Sequence, residues 1–75
     1  MIVYENEELL VLDNVLCENL YLLIKSKNSY IKLDYSTIHN DTIDYEQLKE
    51  LGITEETIYD LKLMEETKND SNVHY

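Results

Sequence analysis

The sequence predicts an α+β fold, in which a small antiparallel sheet of three to four strands is followed by two short C-terminal helices. In the first half, short runs of β-branched, aliphatic and aromatic residues alternate with polar turns, as the strands of a sheet do. In the second half, apolar residues recur at helical spacing on both sides of Gly52, the only glycine of the chain. A length of 75 residues leaves room for one domain.

The first predicted hairpin pairs residues 2–4 with residues 9–12. Both runs are apolar, and the polar segment 5–8 between them favours a turn. Residues 13–14 (Asp-Asn) then give a turn or bulge signal. Because residues 15–17 are apolar again, we expect the strand to continue through them.

The second predicted hairpin pairs residues 20–25 with residues 30–35. Apolar and polar residues alternate in its second strand, which predicts one buried face and one solvated face. The predicted inward positions of the two strands are Leu20, Leu22, Ile24, Ile31, Leu33 and Tyr35. On the outer face, Tyr21 and Leu23 are more apolar than solvation requires, so we expect a helix or a partner to cover part of it.

The first helix follows residue 41, with Asp41 or Thr42 as its predicted cap. Gly52 occupies the position at which the end of this helix needs a left-handed residue. Thr54 is a suitable cap for the second helix, which we expect to end near Thr67. The predicted inward positions are Tyr45, Leu48 and Leu51 with Ile43 ahead of them, and then Ile58, Leu61 and Met64 or Leu63.

Ile53 and Ile58 are placed to form a hydrophobic staple across the start of the second helix. The predicted domain spans residues 1–67, and the polar residues 68–75 are expected to form a flexible tail. The apolar runs are too short to span a membrane, and residue 1 is not followed by a signal-peptide pattern, so we expect a cytoplasmic protein.

The charge of the chain is strongly negative and unevenly distributed. Sixteen acidic residues against six lysines give a formal net charge of −10. Residues 34–70 contain eleven of the acids and three of the lysines, a net charge of −8, whereas residues 1–33 carry −2. Such a field repels nucleic acid and attracts basic surfaces, unless the acidity serves solubility alone.

The helical pair has the lengths and the turn glycine of a helix-turn-helix, but its charge argues against DNA binding. The second helix would be the recognition helix, and its polar positions are mainly acidic. DNA-binding helices rely on lysine and arginine contacts to phosphate, and this chain contains no arginine. We therefore expect no direct contact with nucleic acid.

The acidic residues of the helices are the predicted binding site for a basic partner. Several of them are spaced i, i+4, where like charges cost a few tenths of a kcal/mol and carboxylates lie roughly 6 Å apart. That spacing is close to the spacing of phosphates along a nucleic-acid strand. The predicted partner-binding residues are Asp44, Glu46, Glu50, Glu55, Glu56 and Asp60, with Tyr45 and Tyr59 as aromatic anchors.

Shortness, a small sheet and the acidic helical half make the chain similar, as a class, to the small acidic inhibitors that phages and mobile elements direct against host nucleases, restriction systems or CRISPR effectors. Members of that class occupy a nucleic-acid site or lock the conformation of an effector. The resemblance implies a non-enzymatic anti-defence protein, such as a DNA mimic or an anti-CRISPR protein, acting in the host cytoplasm. It rests on no sequence motif, so it transfers no residue roles.

The alternative function is a structural or assembly module. In that case the chain would self-associate through the outer face of the sheet, at Tyr21, Leu23 and Tyr30, and acidity would serve solubility only. Tyr4, Tyr21 and Tyr30 are expected to form an exposed cluster on the sheet, and Tyr35, Tyr45 and Tyr59 are expected to be half-buried.

Catalytic and metal chemistry lack a recognisable pattern. Cys17 has no histidine or other base in a characteristic relation to it, and we expect a buried strand cysteine. His39 with Asp41 and Asp44 does not match the spacing of a zinc or EF-hand site. A single glycine cannot build a phosphate-binding loop, so no enzyme activity, cofactor or metal is predicted.

Overall fold

The predicted α+β class is confirmed by a computed structural model, which describes the backbone of residues 1–73 and the side chains of residues 1–66. Four antiparallel strands form a meander in the order β1-β2-β3-β4, and two helices follow. The strands are β1 (Ile2–Glu5), β2 (Leu9–Asn14), β3 (Asn19–Ile24) and β4 (Ser29–Asp34). The helices are α1 (Tyr45–Glu50) and α2 (Glu55–Val73).

The connection between β2 and β3 differs from the prediction. Val15–Cys17 form a 3-10 turn and do not extend β2, because Glu18 adopts a left-handed conformation (φ 55°) that closes the hairpin. Cys17 is therefore exposed, not buried, and Leu16 is 96% exposed. The next hairpin repeats this geometry, with a 3-10 turn at Lys25–Lys27 and the left-handed residue at Asn28 (φ 50°).

The core lies between the two helices and one face of the sheet. Its buried side chains are Leu9 and Val11 of β2, Leu22 and Ile24 of β3, and Leu48, Ile53, Ile58 and Leu61 from the helical half. The inward positions predicted for β3 are confirmed, and Met64, not the exposed Leu63, completes the stripe of α2. Burial of eight large apolar side chains at roughly 1.5–3 kcal/mol each is the main force that joins sheet and helices.

The junction between the helices follows from a Schellman motif. The Gly52 N–H donates to the Lys49 carbonyl and the Ile53 N–H donates to the Leu48 carbonyl, each at 3.0 Å. Gly52 has φ +92°, so the predicted left-handed glycine is confirmed. Ile53 and Ile58 are both buried in the core, as the predicted staple requires.

Two predicted helix features need correction. The cap of α1 is Asp44, because Asp41 instead accepts a hydrogen bond from the Asp34 N–H and closes the loop that follows β4. The helix α2 continues past Thr67 to Val73, since no glycine or proline interrupts it. The predicted tail thus begins inside α2, and its last residues, 74–75, lie outside the described part of the chain.

The sheet has a second face, which points away from the core. Beside a polar row of Asn14, Asn19 and Asp34 on β2 to β4, two rows of residues cross all four strands, as the strand register shows. One row is Ile2, Leu12, Tyr21 and Lys32, and the other is Glu5, Leu10, Leu23 and Tyr30. We call these eight residues the open face. None of them belongs to the core or packs against it within the described residues.

Candidate functional site

The acidic side chains of the helices differ in what they contact. Asp44 is held by the fold, because its Oδ1 accepts hydrogen bonds from the N–H groups of Glu46 (3.1 Å) and Gln47 (3.2 Å). Glu50 and Glu56 are exposed, and no hydrogen bond or ion pair within residues 1–66 involves their side chains. They are the members of the predicted set that are most available to a partner.

Lys49 is a residue of α1 whose side chain contacts acids of both helices. Its Nζ is 3.8 Å from Glu46 Oε1 and 3.9 Å from Glu55 Oε1. Both carboxylates remain largely solvated, with side chains 82% and 88% exposed, so each ion pair contributes little to stability. The pair with Glu46 is local to α1, whereas the turn at Gly52 brings Glu55 of α2 to the same lysine.

Tyr45 is a half-buried side chain that bridges α1 and α2. Its hydroxyl donates to Glu65 Oε2 at 2.5 Å, and the Lys62 Nζ lies 5.1 Å from the ring centroid in a cation–π contact. Burial, and then the bond to Glu65, raise the pKa of the Tyr45 phenol. The Tyr45 side chain is therefore already bound to Glu65 and Lys62. To act as the predicted anchor for a partner, it would have to break these two contacts.

Tyr59 is the aromatic residue of α2 that faces solvent. It is 61% exposed, which corrects the expectation of a half-buried ring. A shallow cleft runs beside it, lined by Lys49, Glu55, Ile58, Tyr59 and Lys62. An exposed aromatic side chain flanked by both charge signs is a suitable contact for a protein partner.

The opposite flank of α2 is tied to the first hairpin. Asp60 Oδ2 accepts a hydrogen bond from the Tyr4 hydroxyl at 3.1 Å, and Asn6 Nδ2 donates to both the Tyr4 hydroxyl (3.0 Å) and Thr57 Oγ1 (2.8 Å). Burial, together with the bond to Asp60, raises the pKa of Tyr4. Tyr4 thus lies on the core side of the sheet and is not part of an exposed tyrosine cluster. The cluster reduces to Tyr21 and Tyr30, whose ring centroids are 5.8 Å apart.

Glu8 is a contact that the sequence did not reveal. From the turn between β1 and β2, its Oε1 accepts from the Thr54 N–H (3.0 Å) and its Oε2 from the Thr54 hydroxyl (2.7 Å). The same Oε2 also accepts from the hydroxyl of Thr57, which is only 2% exposed. We call Glu8, Thr54 and Thr57 the α2 clasp. The hydrogen bonds from Thr57 and Thr54 lower the pKa of the Glu8 carboxyl.

The clasp joins the start of α2 to the turn between β1 and β2. An N-cap is normally the residue that immediately precedes the helix. Thr54 has this role for α2, since its hydroxyl oxygen accepts a weak hydrogen bond from the Thr57 N–H at 3.4 Å. Here a carboxylate also sits at the helix start, where the dipole favours negative charge. It joins residues 46 positions apart in sequence. No local motif predicts such a pairing.

The described residues show neither a metal site nor a membrane span. Among them, no group of three or more histidine, cysteine, aspartate or glutamate side chains is arranged to hold a metal ion. None of the helices in residues 1–73 combines the length and apolar character needed to cross a membrane.

No protein-family model, no curated protein and no solved structure matches the chain. The helical surface presents exposed acids on α1 and α2, with Tyr59, Lys49 and Lys62 among them.

Proposed function

We propose that this chain is a non-enzymatic acidic binding protein that masks a basic, nucleic-acid-handling partner protein and thereby inhibits it. The supporting observation is the exposure of the helical acids: Glu46, Glu50, Glu55 and Glu56 all face solvent. Residues 34–70 hold eleven acids against three lysines. A field of this sign attracts basic clefts and repels nucleic acid.

The arrangement of the acids supports a nucleic-acid mimic. Glu46 and Glu50 lie one helical turn apart on α1, and on α2 the exposed Glu56 lies one turn before Asp60. Carboxylates about 6 Å apart on helices can enter a groove whose lysines and arginines normally contact phosphates. The rigid attachment of α2 through the clasp lowers the entropic cost of presenting them. A phage-type role against a host defence protein, such as a restriction or CRISPR effector, fits this chemistry.

A charge-reversal pair with a matched control tests the proposal. The helix variant is Glu50→Lys with Glu56→Lys, chosen because neither side chain holds the fold together. The control is Glu7→Lys with Glu18→Lys, which changes the net charge equally at exposed acids outside the helices. Each protein is immobilised and exposed to the heparin-retained fraction of a cell lysate, which is enriched in nucleic-acid-binding proteins.

We expect wild type and the control to retain the same basic protein and the helix variant to lose it. Retention should fall steeply as salt rises from about 50 mM to about 500 mM, since exposed charges become screened. Added nucleic acid should compete with the immobilised protein for the captured partner. Equal loss of binding in both variants would show that net charge alone was responsible, and retention by the helix variant would contradict the proposal.

A further inference from the structure

The open face is an apolar surface that the chain itself leaves uncovered. Between Glu5 and Lys32, its six other residues are aliphatic or aromatic: Ile2, Leu10, Leu12, Leu23, Tyr21 and Tyr30. Ile2 is 58% exposed and Tyr30 is 63% exposed, while the other four are half-buried by their neighbours in the sheet. A sheet face that meets water normally carries mainly polar residues. A contiguous apolar patch of this kind marks an interaction site.

The charges around this face identify the partner as a second copy. The chain carries a net charge of −10, so most approaches between two copies are repulsive. This side of the sheet is the exception, because its two acids, Glu5 and the neighbouring Asp34, are balanced by two lysines, Lys32 and Lys25, with Lys25 at 3.0 Å from Glu5. Two copies that meet there keep their acidic helices on the far sides of the pair. A basic partner would instead be drawn to the helices.

We infer that the open face is the interface of a two-fold symmetric homodimer. Glu5 lies on β1 in one row and Lys32 lies on β4 in the other, so the two charges occupy diagonally opposite corners of the face. A two-fold axis in the plane of the interface places Glu5 of each copy over Lys32 of the other. The apolar residues then pack between two equivalent ion pairs, as an isologous contact requires.

The size of the face sets the strength of the dimer. Three strands of six residues and one of four, about 4.8 Å apart at roughly 3.4 Å per residue, give a face of about 360 Å² per copy. Specific stable interfaces commonly bury about 800 Å² per partner, so this contact is smaller than those and belongs with weak, transient ones. We therefore expect the dimer to be weak and reversible. The inference does not depend on the proposed function, because the protein alone forms the dimer.

Sedimentation equilibrium on the purified chain tests the interface. A reductant is included, because the exposed Cys17 could otherwise link copies covalently. Tyr30→Glu places a charge in the open face, and Ile38→Glu is the matched control at an 87% exposed residue outside it. We expect Tyr30→Glu to weaken the dimer at least about tenfold and Ile38→Glu to change it less than about twofold. A wild type that stays monomeric up to about 1 mM, or equal effects of both substitutions, would overturn the inference.

A mixing experiment tests the symmetry. Glu5→Lys and Lys32→Glu each place like charges opposite one another in a homodimer, so each variant alone should dimerise more weakly than wild type. In an equimolar mixture both contacts become Lys–Glu pairs, and a heterodimer should form more tightly than either homodimer. Native mass spectrometry separates the species if one variant is isotopically labelled. A statistical mixture without heterodimer enrichment would refute the two-fold pairing.

Discussion

Replacing Glu8 with alanine should release the start of α2 from the sheet. The substitution removes three hydrogen bonds to a carboxylate, from the Thr54 N–H and from the hydroxyls of Thr54 and Thr57. Hydrogen bonds to charged groups are worth about 1.5–3 kcal/mol, and a helix cap about 0.5–2 kcal/mol. Because the Glu8 side chain is partly solvated, we expect a loss near the lower end, about 1–2 kcal/mol of unfolding free energy.

The measurement is urea unfolding followed by far-UV circular dichroism, supported by thermal melts. For a domain of this size, a loss of 1–2 kcal/mol corresponds to a fall in Tm of roughly 5–15 °C. The control is Glu7→Ala at the adjacent exposed position, whose side chain makes no hydrogen bond within residues 1–66. If Glu8→Ala destabilises the protein no more than Glu7→Ala, the clasp does not hold the helix and the reasoning fails.

The same contact predicts a specific dependence on pH. The folded protein lowers the pKa of Glu8 below its unfolded value, so the stabilisation is fully present above about pH 4.5. It is lost as pH falls through the lowered pKa, because a protonated Glu8 accepts these bonds poorly. The difference in stability between wild type and Glu8→Gln should therefore shrink on acidification. A difference that stays constant down to pH 2 would contradict this linkage.

Three further substitutions probe other features of the fold. Gly52→Ala should cost about 1–2 kcal/mol in urea unfolding through backbone strain alone, since a Cβ at this position meets no atom within 4 Å. Glu18→Asn should raise the unfolding free energy by about 0.5–1 kcal/mol, because asparagine tolerates the left-handed conformation and Asn28 already occupies the equivalent position. Wild type should lose stability above about pH 10, as pH rises towards the raised pKa of Tyr45, and Tyr45→Phe should lack that part of the loss. Urea midpoints that do not respond to the Tyr45 substitution at alkaline pH would exclude the bond to Glu65 as the cause.

The local features of the fold were predictable from sequence because local rules determine them. Alternation identified Leu22 and Ile24 as inward residues, and the glycine at position 52 ended α1 as expected. The segment Val15–Cys17 misled the prediction, since apolar composition favours a strand while the left-handed Glu18 imposes a hairpin turn. Composition cannot show that turn, because glutamate rarely adopts the conformation.

The candidate site was predictable in composition but not in arrangement. The acids of α1 and α2 are visible in the sequence, yet Asp44 proves to be a helix cap and Asp60 proves to bond Tyr4. The partners of Asp44 are two and three residues away, whereas Tyr4, the partner of Asp60, is distant in the chain and no local pattern reveals it. The contact between Lys49 and Glu55 is a product of the turn between the helices, whereas the pair of Lys49 with Glu46 is local to α1.

A peptide shortened to the two helices would lose the α2 clasp. A synthetic peptide covering residues 41–66 would carry most of the helical acids but would lack Glu8 and every core residue that the sheet supplies. Isolated helices of this length are marginal in water, so such a peptide would present its carboxylates in many geometries at once. The spacing of the acids belongs to the whole domain, and a useful miniature would need the first hairpin or a covalent staple in its place.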